Sequence, residues 1–157
     1  MKKNNFILIA TDNEELTGRF APAFEIAEFR LGLRQWPMYE GTRNRRNVGV
    51  GDNVLVYCGG SKKLSQCLIG YAKVASIQPF KSRSHSDELD KYLTNTPSQV
   101  LFLNEPVIFS EPIQFRSILP NLECCPSNLQ KWGVILHGGV KKISDNDFSY
   151  ILGKSNL

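Results

Sequence analysis

The side chains best suited to bind a ligand are arginines that lie close together in the chain. Residues 30–46 contain five arginines and one acid, whereas the rest of the chain has equal numbers of basic and acidic residues. The net charge of +4 is therefore local, and it comes from Arg30, Arg34, Arg43, Arg45 and Arg46 set against Glu40. The guanidinium fork fits phosphate oxygens and base edges, and a local cationic excess is typical of a polyanion site. We expect Arg34, Arg45 and Arg46 to contact phosphates; the alternative is a solvated basic loop.

Aromatic and amide side chains accompany the arginines. Trp36 could stack a base beside the charges, although tryptophan is more often a core residue. Asn44 and Asn47 could present an amide to a base edge, and Thr42 could do so through its hydroxyl; the two asparagines could equally be turn residues. Trp132, the second tryptophan of the chain, is more typical of a core position.

The sequence contains no recognisable catalytic signature and no metal-ligand spacing. It lacks a G-x-S-x-G, a P-loop and an H-E-x-x-H motif, so we expect a protein that is not an enzyme and that has no cofactor and no metal. Neither His85 nor His137 stands at a ligand spacing from a cysteine. A nucleophilic Cys58 would need a base such as His137 close to it in the fold; the alternative is a small core residue.

Length and composition predict one globular domain spanning residues 1–157. Its four cysteines, Cys58, Cys67, Cys124 and Cys125, are expected to be reduced thiols. The apolar run near the amino terminus is too short for a signal peptide, and no run approaches the length of a membrane helix. We therefore expect a soluble, cytoplasmic protein without a membrane partner.

The hydrophobic pattern predicts an α+β fold. Short apolar runs predict strands at 6–10, 53–58 and 66–77, and Gly70 is expected to mark a bulge. Proline-separated runs between 99 and 115 predict three more short strands. Helices are predicted after Pro22, ending at Trp36-Pro37, around 86–93 and after Ser144. Because strands and helices do not alternate, the pattern favours a small, largely antiparallel barrel with flanking helices.

The order of these motifs resembles the EVE domain family of the PUA-like group, which also contains the ASCH and YTH domains. The resemblance rests on Trp36, TRNRRN at 42–47, GDNVLVY at 51–57 and LIGYAKV at 68–74. It continues through PVIFSEPIQFRSILPNL and WGVILHGGVKKISDNDFSYIL to Leu152. It implies a PUA-like mixed or antiparallel barrel with a concave pocket on one side.

The resemblance also implies a function. Relatives bind nucleic acid, and several seat a flipped modified base in an aromatic-lined pocket, so DNA or RNA is the expected partner. EVE domains are sometimes attached to restriction or defence proteins, and we expect a possible association with restriction or RNA-processing proteins. Carried over by position, the base pocket would consist of Trp36, Thr42, Arg43, Asn44, Tyr57, Cys58 and Gly59.

Two other functions fit the sequence less well. Some ASCH relatives hydrolyse modified nucleosides with a Lys, Thr and Glu set, which Lys62 or Lys63 with Thr42 could imitate. The third alternative is a protein-interaction module without a nucleic-acid role.

Overall fold

The computed structural model describes residues 3–15, 17–60, 65–80, 92, 96–136 and 139–155. In this part of the chain the strands are β1 (Asn5–Ala10), β2 (Asn13–Glu14), β3 (Phe20–Ala21), β4 (Gln35–Met38), β5 (Asn53–Cys58), β6 (Cys67–Pro79), β7 (Gln99–Gln114) and β8 (Val140–Ile143). The α-helices are α1 (Ala23–Leu33), α2 (Phe115–Ile118) and α3 (Asp145–Lys154), and 3-10 segments cover Arg45–Asn47, Leu119–Asn121 and Leu129–Leu136.

Six strands form one mixed sheet in the order β4-β7-β6-β5-β1-β8. Neighbouring strands are antiparallel except for β1 and β5, which run parallel. The sheet curls into a half-barrel flanked by helices, which confirms the predicted α+β, PUA-like fold class. Strands β2 and β3 pair with each other outside this sheet.

The sheet is apolar on both faces, because each central strand alternates between two cores. Val54, Val56 and Cys58 of β5 pack into one core together with α1, whereas Leu55 and Tyr57 pack into the other. The second core is covered by α2, α3 and the 3-10 segment Leu129–Leu136. The strand predicted at 53–58 is therefore confirmed, and burial on both sides explains its nearly continuous apolar sequence.

The helix ends follow local rules in two cases. Helix α3 begins after Ser144, whose hydroxyl accepts a hydrogen bond from the Asp147 N–H at 3.1 Å, as the S-x-x-D pattern predicts. Helix α1 ends at Leu33 and is followed by Arg34 in the left-handed conformation (φ 62°). The prediction that it continues to Trp36-Pro37 is wrong, because these residues belong to β4 at the edge of the sheet, where a proline is tolerated.

The predicted three short strands between 99 and 115 are one strand, β7, of 16 residues. Strand β4 pairs with β7 only as far as Phe102, so the part of β7 that contains Pro106 and Pro112 has β6 on one side. Neither proline has a register partner in β6. A proline removes a backbone donor, and an edge with irregular pairing accommodates that loss.

The helix predicted around 86–93 lies outside the described residues, apart from position 92. No helix in the described ranges is long and apolar enough to cross a membrane.

Gly70 allows β7 and α1 to approach β6 closely. A Cβ at this position would overlap the carbonyl oxygen of Val107 and lie about 3.3 Å from a methyl carbon of Leu31. The pairing of β6 with β7 shifts register between Leu68 and Gly70, which agrees with the predicted bulge.

We expect Gly70→Ala to lower the free energy of unfolding by about 1–3 kcal/mol, because the new methyl group forces two packed elements apart. The control is Gly32→Ala in α1, where a Cβ meets no atom of the described residues within 4 Å and should raise stability by up to about 1 kcal/mol. Urea denaturation followed by circular dichroism measures both; equal stabilities of the two variants would contradict the prediction.

Candidate functional site

The parallel pairing of β1 with β5 brings their carboxyl ends to the same edge of the sheet. Ile9 lies opposite Tyr57 and Ala10 lies opposite Cys58. Strand β8 runs antiparallel to β1 and therefore begins at this edge, where the Ile9 N–H donates to the Gly139 carbonyl at 3.1 Å. The segments that follow β1 and β5 and the segment that precedes β8 thus converge.

Residues 39–47, here called the arginine loop, fold through local hydrogen bonds. The Thr42 N–H donates to the Tyr39 carbonyl at 3.0 Å, and the Tyr39 N–H donates to the Thr42 hydroxyl at 3.1 Å. Asn44 then adopts a left-handed conformation (φ 61°) and precedes the 3-10 turn Arg45–Asn47. Asparagine tolerates this conformation better than most residues, so the sequence itself favours a turn here.

The arginine loop is attached to the start of β8. The Asn44 amide donates to the Val140 carbonyl at 3.1 Å and accepts from the Asn47 amide at 3.0 Å. Gly139 has a positive φ of 98°, and a Cβ there would lie about 3.0 Å from the Thr42 methyl carbon, so the arginine loop packs closely against this residue. Asn44 and Thr42 are therefore turn and anchor residues, which supports the alternative interpretation that the sequence left open for Asn44.

A cleft of about 370 Å³ opens on the arginine loop and is here called the cationic cleft. Arg46 is exposed, and the half-buried Arg45 donates to the Gln99 side-chain oxygen at 3.3 Å. The buried Arg45 Nε has no hydrogen-bond partner among the described residues. The ion pairs found among the described residues join Arg19 to two glutamates and Lys73 to Glu105, so none uses a loop arginine. The cleft is lined by Glu40, Thr42, Asn44, Arg45, Arg46 and Asn47.

Two of the predicted arginines occupy different positions. Arg43 is exposed but does not line the cationic cleft. Arg34 is exposed at the beginning of β4, whereas the arginine loop follows the end of that strand. Because a strand rises about 3.3 Å per residue, the four residues of β4 separate Arg34 from the loop by about 13 Å. The structure thus brings together Arg45 and Arg46 but not Arg34.

A second cleft, here called the aromatic cleft, lies at the carboxyl ends of β1 and β5. Its volume is about 380 Å³, which is within the range of small-ligand sites. Behind it the Tyr57 and Phe115 rings meet edge to face at 5.6 Å, and Phe115 lies 6.0 Å from the half-buried Trp132. No charged side chain is found among its described lining residues, which are Ile9, Thr11, Tyr57, Gly59, Gly60, Gln66, Trp132, Gly133 and Leu136.

The prediction that Trp36 forms the wall of a pocket is wrong. Its side chain is 2% exposed and packs in the core with α1. Arg30 is also buried, with its guanidinium 5.0 Å from the centre of the Trp36 ring, and burial lowers the pKa of Arg30 to about 10. Arg30 therefore supports the core instead of adding to the surface charge.

Trp132 lines the aromatic cleft and has there the role that the sequence suggested for Trp36. The sequence offered only a weak indication, a tryptophan followed by glycine in an apolar segment. Nothing local shows that this segment packs beside Tyr57, because the two residues are 75 positions apart. Tyr57 and Gly59 line a cleft as the resemblance implied, although the cleft is not the one that contains the arginines.

Cys58 does not line either cleft. It follows Tyr57 in a strand and therefore projects to the opposite face, where it is fully buried in the core with α1. Burial is the largest of the effects that raise the pKa of its thiol to about 12. This environment favours the core interpretation over a nucleophile. His85, His137, Lys62 and Lys63 lie outside the described residues.

The described residues contain no group of three or more His, Cys, Asp or Glu side chains placed to hold a metal ion.

Comparison with known proteins places the fold but not the family. No protein-family model and no curated protein matches the sequence. The fold is similar to the N-terminal domain of Staphylothermus marinus McrB (TM-score 0.63, 11% identity, 98% of each chain) and to human THYN1 solved in complex with 5-methylcytosine containing DNA (0.60, 11%, 99% of each chain). It is also similar to ASCH from Zymomonas mobilis (0.54, 10%, 97% of this chain and 96% of that chain). The predicted resemblance to the PUA-like group is confirmed at the level of the fold.

We expect Cys58 to resist alkylation in the folded protein, because the thiolate is the reactive form and a raised pKa suppresses it below about pH 12. Iodoacetamide treatment at pH 8, followed by peptide mass spectrometry, should modify Cys58 only after denaturation. Cys125, which is half-buried, serves as the comparison within the same chain. Rapid modification of native Cys58 would contradict the structure of this strand end.

Proposed function

We propose that this chain is a nucleic-acid-binding module in which the arginine loop contacts phosphates and the aromatic cleft holds one extruded base. The observation that carries the proposal is the joint position of the two clefts. The arginine loop is fixed to Gly139 and Val140, and Gly139 is hydrogen-bonded to Ile9, a residue of the aromatic cleft.

The charge distribution supports the phosphate role of the loop. Arg45 and Arg46 line the cationic cleft, Arg43 is exposed beside them, and none of the three is committed to an ion pair found in the described part of the chain. Arginines that bind phosphates release condensed counterions, so affinity falls as salt rises. Glu40 at the same cleft opposes this charge in part.

The composition of the aromatic cleft supports the base role. A base is a flat, neutral ring, and the cleft offers aromatic surface without a charged lining residue. Extrusion of a base costs a few kcal/mol, and stacking on an aromatic side chain returns roughly 1–3 kcal/mol per base. Single-stranded or mismatched sites, in which unpairing costs less, should therefore bind better than a perfect duplex.

A modified base is the favoured ligand within this proposal. The similarity in fold to THYN1, which was solved with 5-methylcytosine containing DNA, supports this choice. Burial of one added methyl group contributes about 0.8 kcal/mol, so strong selectivity requires a close fit around the modification. We propose DNA or RNA as the partner, with association to a restriction or RNA-processing protein as a further prediction.

The alternative is a hydrolase that acts on a modified nucleoside, which the similarity in fold to ASCH from Zymomonas mobilis keeps open. Of the residues named for the Lys, Thr and Glu set, Thr42 lies among the described residues. Its hydroxyl accepts a hydrogen bond from the Tyr39 N–H. Turnover of acylated or alkylated nucleosides would favour this function over binding alone.

We expect Arg46→Ala to weaken binding to all oligonucleotides and to reduce the slope of log K against log salt by about 1, because one phosphate contact is lost. Arg34→Ala removes the same charge from the far end of β4 and is the matched control. Fluorescence polarisation at several salt concentrations measures both slopes. The phosphate role of the loop is excluded if the two variants change the slope equally.

We expect Trp132→Ala to lower affinity for oligonucleotides with an extrudable base by about tenfold, because stacking on the indole is lost. An abasic site at the same position removes the base, so Trp132→Ala should leave binding to that oligonucleotide unchanged. Polarisation titrations with both oligonucleotides separate the base contact from the phosphate contacts. Equal losses on both would count against the aromatic cleft as the base site.

A further inference from the structure

Gln66 occupies an unfavourable backbone conformation at the aromatic cleft. It lies directly before β6 and lines the cleft together with Tyr57 and Trp132. Its φ of 60° places it in the left-handed region, which disfavours residues with a Cβ and in which glycine or asparagine is more usual. Glutamine at this position is therefore costly for folding.

The backbone around Gln66 is held in place from two sides. Its N–H donates to the carbonyl of Cys58 at the end of β5, and its carbonyl accepts from the Phe115 N–H at 3.1 Å. Phe115 is the residue whose ring lies between Tyr57 and Trp132. These two hydrogen bonds tie the Gln66 backbone to residues beside the aromatic rings and hold it in the left-handed conformation. The backbone strain therefore lies at the site.

The Gln66 amide is available to a ligand. The residue is exposed, and its side chain forms no hydrogen bond within the described ranges. The other polar side-chain groups of the described lining are the hydroxyls of Thr11 and Tyr57 and the indole N–H of Trp132. An amide presents an N–H donor beside a carbonyl acceptor, and a base edge presents the complementary pair.

We infer that Gln66 is a specificity-determining residue: its amide hydrogen-bonds the edge of a neutral base that stacks in the aromatic cleft. This inference rests on the proposed function. The predicted ligand is a heterocycle that carries a hydrogen-bond donor next to a hydrogen-bond acceptor. The left-handed strain persists because glycine, which would relieve it, has no group to read the base.

The test combines stability with base selectivity. Gln66→Gly should raise the melting temperature by about 3 °C, since it removes the strain, and it should abolish discrimination between bases. Gln66→Asn also suits the left-handed conformation and keeps an amide, so it should retain part of the discrimination. Gln78→Asn, an exposed position at the other end of β6, controls for the loss of one methylene.

The probes are short single-stranded oligonucleotides whose central base is adenine, N6-methyladenine, cytosine, 5-methylcytosine, thymine or difluorotoluene, an apolar isostere of thymine. We expect the affinity of the wild-type protein for at least one hydrogen-bonding base to exceed its affinity for the isostere by about tenfold. We expect Gln66→Gly to bind all six oligonucleotides with the same affinity. The role of Gln66 is overturned if Gln66→Gly keeps the preference, or if the wild-type protein binds the isostere equally well. Either result leaves the proposed function standing. Failure of the unmodified protein to bind any of the six at low salt overturns the proposed function itself.

Discussion

The parallel pairing of β1 with β5 is the constraint on which the site depends. Parallel strands place their carboxyl ends at one edge of a sheet, and here both strands are buried on both faces, with Leu8 and Val56 in one core and Ile7 and Leu55 in the other. A slip of one residue would move each of these side chains to the opposite core, so the register is strongly fixed. The position of the aromatic cleft relative to the start of β8 follows from that register.

In the proposed function, the two clefts divide the chemistry of a nucleotide between them. The cationic cleft presents guanidinium groups on a turn that is tied to β8, whereas the aromatic cleft presents rings, hydroxyls and one amide without a lining charge. A phosphate is strongly solvated and binds best at an accessible surface, while a base gains most from leaving water. Burial raises the pKa of Tyr57 to about 12, so its hydroxyl stays neutral and remains a donor at any physiological pH.

The sequence predicts those features that depend on neighbours along the chain. The alternation of β5 between two cores, the Ser144 cap and the bulge at Gly70 each follow from a local pattern, and each is found in the structure. Such a pattern could not predict that Trp132 lines a cleft while Trp36 is buried, because burial of an aromatic residue depends on what packs over it. Trp36 is covered because β4 lies at the sheet edge beneath α1, and Trp132 is accessible because its 3-10 segment ends beside Tyr57.

The number of clustered arginines in the sequence also exceeds the number that the fold leaves available to contact phosphates. Of the five clustered arginines, Arg30 is stacked on Trp36 in the core and Arg34 lies at the far end of β4, which leaves three on the arginine loop. Contacts to three phosphates of a single strand correspond to a salt slope of only about −2. Electrostatic attraction of this size gives weak, non-selective binding, so in the proposed function tight binding depends on the aromatic cleft. The geometry therefore suits recognition of one base in a short segment better than binding along an extended tract.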